Sequence, residues 1–291
     1  MIASLCLIIC GCTIAKPVRF AAIGDTPYFD SDVELLFLSE ALEDMAVNKM
    51  SFVVHIGDIF GGRTKCQSEL YKLRARVFSQ SPIPFMITIG DNEFSDCRNS
   101  IQARKRFRNI ILNNPPNYQV VKGTSAVHKA LYVTRQKEMI ENASWSDNNV
   151  DFIMLVLPDL PGDYPLEKET IRSIMHANIS FLVARVKIAI SSERQALVVM
   201  MHANPLTCIV EGCQEFIDVL FKEIREFGKP VMLINGSDHS RKYTDGGYMD
   251  IPNLWHLRPG SEPEISWPEI IYSPETNRFT VKWHKGNLES E

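Results

Sequence analysis

What the sequence lacks narrows its chemistry first. There is no Gly-x-Ser-x-Gly elbow and no Walker phosphate loop, and Gly61-Gly62 follows an apolar strand without a dinucleotide fingerprint. No basic stripe carries interleaved aromatics, and a net charge of −4 argues against a nucleic-acid-binding surface. The one cationic run, Arg104-Lys105-Arg106-Phe107-Arg108, reads as the solvated face of a helix. Repeats, low-complexity tracts and linker-like stretches are also missing. With 45% hydrophobic and 23% charged residues, the 291-residue chain fits a single globular domain.

The N-terminus reads as a targeting segment. Ile2 to Cys10 is an apolar run too short to span a bilayer, the shape of a secretory h-region, although no Lys or Arg precedes it. Ile9-Cys10-Gly11-Cys12 resembles a bacterial lipobox in which Cys12 is lipidated; cleavage after Ala15 is the competing reading, and a buried N-terminal strand the bland one. Residues 1–15 are therefore expected to be a signal peptide or lipoprotein leader, and 16–291 one domain. Of the seven cysteines, four remain after this leader: Cys66, Cys97, Cys208 and Cys213. Cys208 and Cys213 flank a short loop. Cys66 and Cys97 each follow a strand end by a few residues, so the expected bridges are Cys66–Cys97 and Cys208–Cys213. Reduced thiols in a cytoplasmic protein are the alternative.

Periodicity gives an α/β chain: a layered sheet core with flanking helices. Strands are expected at 18–25, 52–57, 84–90, 126–134, 150–157, 196–201, 231–235 and 277–283. Helices are expected at 33–47, 69–78, 100–112, 166–191 and 216–227, with 141–149 as a loop. The first three strands each end in Gly-Asp, and Asp25, Asp58 and Asp91 are spaced 33 residues apart, about the length of one β-α-β unit. A parallel sheet would set them side by side at its carboxyl edge, where open α/β sheets bind ligands. Three converging carboxylates repel each other unless a cation or a proton intervenes. His202 and Asp238-His239 end two later strands, and this mixture of oxygen and imidazole donors suits Mn, Fe, Ni or Zn better than Ca. A lone aspartate at such a place would merely cap a helix, and His202 could be a satisfied core histidine. Three aspartates in register with two histidines favour ligation. His55 is read as packed behind the site.

The order of these stretches, Gly24-Asp25-Thr26-Pro27, Gly57-Asp58, Gly90-Asp91-Asn92-Glu93, His202 and Gly236-Ser237-Asp238-His239, resembles that of the calcineurin-like metallophosphoesterases. Gly-Asp-Thr-Pro-Tyr and Gly-Asp-Asn-Glu look like an exported bacterial branch of that family. The resemblance implies that Asp58 bridges two metals, that Asp25 and His239 hold one, and that Asp91 and His202 hold the other. Asn92 stands at the position of the catalytic histidine, and Glu93 at the acidic position that supports it. Three of the family's histidines are absent, at Pro27, Asn92 and Ser237, and Asp238 could supply one missing ligand. The implied function is hydrolysis of phosphate esters by a metal-activated hydroxide with one or two divalent ions (Mn, Fe or Zn). A phosphorylated small molecule or ester would be the substrate, in the bacterial periplasm or anchored to the envelope through Cys12. The rival expectation is a non-catalytic envelope binding or scaffold protein with a degenerate site.

Overall fold

The computed structural model describes residues 16–28, 31–62, 64–113, 131–159, 166–261 and 266–285. The leader with Cys12, and most of the strand expected at 126–134, lie outside them. Twelve strands form two sheets among the described residues. β1 (Val18–Ile23), β2 (Val53–His55) and β3 (Phe85–Ile87) run parallel and adjacent in that order. β11 (Ser266–Ser273) joins the other side of β1 antiparallel, and β12 (Arg278–Lys285) completes this sheet. The second sheet has the order β4-β5-β6-β7-β8-β10-β9. Its members are β4 (Thr134–Arg135), β5 (Ala143–Asp147), β6 (Val150–Met154), β7 (Ala196–Met200), β8 (Val231–Ile234), β9 (Lys242–Thr244) and β10 (Leu254–Arg258).

Side-chain alternation explains why there are two sheets. Phe20 and Ala22 of β1, with Phe52, Val54 and Ile56, face Trp145, Phe152, Val198, Met200 and Met232 of the other sheet in one buried cluster. Phe52 meets Trp145 and Phe152 edge to face at 5.8 and 5.0 Å between ring centroids. The alternate residues, Ala21, Ile23 and Val53 on one sheet and Ile153, Val199 and Leu233 on the other, pack outward in the cluster that includes the helices. The helices α1 (Asp32–Val47), α2 (Ser68–Ser79), α4 (Lys168–Ser191) and α5 (Cys213–Phe227) bury their apolar sides in that same cluster. The Ser31 hydroxyl caps α1 by accepting the Glu34 N–H. α4 is long and apolar enough to cross a membrane, but Ile174, Phe181, Leu182 and Val186 are buried in the core.

Two expectations need correcting. The segment 141–149 is not a loop: β5 pairs antiparallel with β6, and Trp145 stacks on Phe152 at 5.3 Å. The cationic run is not simply solvated either. α3 (Ser100–Arg106) passes into a π-helical stretch, Phe107–Leu112. From these turns Arg104 and Arg108 both reach the fully buried Glu141, each at 2.7 Å. The two guanidinium groups outweigh the burial that would raise this carboxyl, and hold it below its ordinary value. Both expected disulfides, Cys66–Cys97 and Cys208–Cys213, are present.

Candidate metal centre

The backbone delivers five strand ends to one edge. Asp25 N–H donates to the Gly57 carbonyl at 2.9 Å, and Gly236 N–H to the His202 carbonyl at 2.7 Å. The Thr88 hydroxyl donates to the Leu155 carbonyl at 3.1 Å and ties β3 to the end of β6. Asp25 and Asp58 both adopt positive φ, 54° and 58°, so the chain turns sharply at each strand end. No side chain fits at Gly90, because a Cβ there would overlap the Asp58 carboxylate.

Asp25, Asp58 and His202 each offer a ligand atom within 4.8 Å of the others, and all three are buried. His202 Nδ1 faces the Ile56 carbonyl at 2.9 Å and is assigned as the donor, which leaves Nε2 towards the carboxylates. Nε2 lies 2.7 Å from Asp91 Oδ1, within pairing distance, and 3.4 Å from Asp58 Oδ1. Both Asp25 oxygens are buried without a hydrogen-bond partner. His239 Nε2 approaches Asp25 Oδ1 to 3.6 Å, from a partly exposed ring packed edge to face on Tyr28. Donor atoms thus converge on a shared space in which the Asp25 oxygens accept no hydrogen bond, an arrangement that fits a cation.

The electrostatics agree. Burial raises the Asp25 carboxyl, and raises Asp58 further still, against the pull of His202. Burial would lower the His202 imidazole, but the surrounding carboxylates of Asp58, Asp91 and Asp25 outweigh it and hold the ring well above its ordinary value. Asp91 is partly buried, which would raise its carboxyl, yet its contact with His202 brings it below normal. In the metal-free protein, protons stand in for positive charge.

Glu93 faces none of the other carboxylates. One of its oxygens accepts the N–H groups of Gly90 (2.7 Å) and Asp58 (3.2 Å), and the other accepts that of Ile59 (3.3 Å). Burial, partly offset by these bonds, lifts its carboxyl to about 7. It fixes the two Gly-Asp turns relative to each other. Asn92 N–H donates to Asp58 Oδ1 at 3.1 Å, and its side chain is buried beside the Tyr28 phenol. His55 is buried behind the turns, with Nε2 at 2.6 Å from the Thr26 carbonyl.

One sequence candidate is placed elsewhere. The Asp238 carboxylate pairs with Arg258 and accepts both the N–H and the hydroxyl of Ser240 (3.1 and 2.9 Å), away from the converging donors. One residue the sequence reading missed stands close by. Asp159, two residues beyond the apolar run 152–157, accepts the Ser237 hydroxyl at 3.1 Å, and its N–H donates to Asp91 Oδ1 at 3.3 Å. An aspartate just past a buried strand was the available signal.

Neither a protein-family model nor a characterised protein sequence matches the chain. Solved structures do. A dimetal phosphatase from Danio rerio aligns over 91% of this chain and 98% of its own, with 13% identity and a TM-score of 0.56. GAP50, the anchor in the inner membrane complex of Plasmodium, aligns over 93% and 85%, with 13% identity and a TM-score of 0.53. The purple acid phosphatase PPD1 of yellow lupin covers 93% of this chain and 52% of its own, with 12% identity and a TM-score of 0.51. The architecture is a metallophosphoesterase-like fold, and its buried Asp-Asp-His group could bind metal.

Proposed function

We propose that the chain is a divalent-metal-dependent hydrolase of phosphate esters. The observation that carries this reading is the buried group Asp25, Asp58 and His202, in which both Asp25 oxygens lack a hydrogen-bond partner. Asp58 would be shared between ions, with Asp25 and His239 on one side and Asp91 and His202 on the other. Asp159, through Ser237 and Asp91, would complete the second side where the family has an imidazole. When bound, such ions neutralise charge on the phosphoryl group and supply a nucleophile from water at neutral pH.

The remaining work falls to the chain's own side chains. Asn92 would donate its Nδ2 hydrogens to an ester oxygen and orient it, with Tyr28 packed beside it. An amide cannot protonate a leaving alcohol. Loss of a general acid costs about 10²–10⁴ in rate, so aryl esters with good leaving groups should turn over best. The oxygen-rich donor set favours Mn or Fe over a tight Zn pair. The two disulfides support an oxidising compartment, in keeping with an exported, bacterial envelope protein.

A second reading is a scaffold with a decayed site, favoured by Pro27, Asn92 and Ser237 standing where the family has imidazoles. A fold shared with both phosphatases and an anchor protein suits either reading. Elemental mass spectrometry of the chain from Lys16 onward, with aryl phosphate hydrolysis in Mn, separates them. One or two ions per chain, lost together with turnover in Asp58→Asn, would support the hydrolase. A folded, metal-free and inert chain after reconstitution would refute it.

A further inference from the structure

A cavity of about 550 Å³ adjoins the carboxylate group on the far side of the Asn92 segment. That volume lies within the range of small-molecule sites, about 300–1,000 Å³. Its walls are the loop after β2 and the loop after β3, clipped together by Cys66–Cys97. The two spaces share a partition. Asn92 N–H holds Asp58 Oδ1, while the Asn92 carbonyl faces the sulfurs of Cys97 (3.3 Å) and Cys66 (3.6 Å), which line the cavity. At the rim Gly62 packs directly against the Asn92 side chain, so closely that a Cβ there would sit 2.6 Å from Asn92 Oδ1, which sets the edge of the cavity beside Asn92.

The lining is cationic in a chain whose net charge is −4. Lys65, Arg98 and Arg106 contribute three positive charges, against the single carboxylate of Asp96. Lys65 and Arg98 are exposed at the rim. Arg106 is held in place by the Cys66 carbonyl at 2.9 Å and the Ser68 hydroxyl at 3.2 Å. A concave, cationic, disulfide-braced wall beside Asn92 has the charge and shape to suit an anion.

We propose that this cavity is an anion subsite, so that the substrate is a small phosphate ester whose alcohol portion carries a second anionic group, a phosphate or a carboxylate. The inference rests on the hydrolase reading above. Lys65 and Arg98 steer and hold the distal anion, and Asn92 orients the ester oxygen between the two sites.

The test compares kcat/KM for 4-nitrophenyl phosphate and 3-carboxy-4-nitrophenyl phosphate in the Mn-loaded protein. The ratio between esters is read in wild type, Lys65→Ala/Arg98→Ala, Lys65→Glu/Arg98→Glu and a surface control, Lys187→Ala. Differences in leaving-group acidity cancel when ratios are compared across variants. Two exposed charge contacts together are worth about tenfold, so the double alanine variant should lower the preference for the carboxylated ester about tenfold. Charge reversal should lower it further, and the control should keep it. Isothermal titration of 3-carboxy-4-nitrophenol into metal-free protein gives a readout that needs no turnover. Turnover with an unchanged ratio in both double variants would overturn the subsite and leave the hydrolase reading standing. No turnover, but phenol binding that weakens on charge reversal, would support the subsite and remove the hydrolase reading. Neither turnover nor binding would overturn both.

Discussion

Glu93→Gln separates a positioning carboxylate from a reacting one. Glu93 spends its two oxygens on three backbone N–H groups, those of Gly90, Asp58 and Ile59, and touches none of the converging donor atoms. Glutamine keeps the shape but offers one acceptor oxygen in place of two. If that oxygen faces Gly90 and Asp58, the amide NH2 opposes the Ile59 N–H; if the amide flips, two N–H groups lose their acceptor. A buried donor left unmatched costs about 1–3 kcal/mol, but Gln also removes a negative charge that burial disfavours, so the two effects oppose each other in the metal-free protein and stability should change little. The assay is urea unfolding in EDTA at pH 8, above the value of about 7 that burial imposes on this carboxyl. Because Asp58 N–H is one of the anchored groups, Mn affinity should weaken in the same variant by about 10–100-fold, the usual effect of losing a supporting hydrogen bond. Unchanged Mn affinity with abolished turnover would refute this reasoning, since it would mean that Glu93 acts on the reacting atoms.

Asp159→Asn should leave the fold intact and weaken binding of the ion on the Asp91 side by about 10–100-fold, read by Mn titration with electron paramagnetic resonance. Unchanged stoichiometry and affinity would remove Asp159 from the site. The disulfides should differ in worth. Treated as loop closures, Cys66–Cys97 contributes about 4 kcal/mol and Cys208–Cys213 about 2, because the closed loops span 31 and 5 residues. Paired Cys→Ala variants in urea test this, and equal losses would argue against the loop-length account. His256 gives a pH signal away from the metal residues. Its ring is buried, faces Asn235 Oδ1 at 2.7 Å, stacks on Tyr248, and is lowered to about 4 by burial and then by Lys242. Between its ordinary value of 6.5 and 4 the unfolded ring binds more protons than the folded one. Stability present above pH 6.5 is therefore lost as pH falls to about 4, by about 3 kcal/mol in all. His256→Asn should flatten that part of the curve, and an unaltered slope would exclude the residue.

The parallel strands β1, β2 and β3 were legible because each carries its aspartate immediately after a Gly, at a constant spacing that only a repeated β-α-β unit produces. β5 was not, because Ser144 and Ser146 interrupt its apolar positions and its partner β6 supplies the hydrophobic context. The pairing of two sheets face to face also escaped, since alternation in β1 and β6 assigns faces without saying what covers them. At the site, the motif carrying His239 gave no way to separate it from its neighbour. Ser237 and His239 both take positive φ, 74° and 57°, and Asp238 turns to Arg258, twenty residues further along the chain. Asp159 was hidden for a related reason: it follows a proline, without the Gly-Asp pattern of the opposite sheet.

Energetics bear on whether the site is a relic. Fold likeness alone cannot decide, because phosphatases and an anchor protein match at similar levels. The local cost can. Asp25 and Asp58 are carboxylates buried almost completely beside Asp91, and without a cation each must take a proton or endure repulsion. A scaffold gains nothing from keeping that arrangement, whereas a metal protein regains the loss on binding. Asp58→Asn should therefore act in opposite directions in the two states. In EDTA it removes a buried charge, and its remaining oxygen can still accept the Asn92 N–H, so the variant should be as stable as wild type or more so. At Mn a hundredfold above Kd, wild type should gain about 2.7 kcal/mol, and the variant should gain little. Urea midpoints in EDTA and in Mn give all four values. A variant less stable than wild type in EDTA, together with a wild type indifferent to Mn, would show that Asp58 holds the fold together and that no ion is needed to explain its burial.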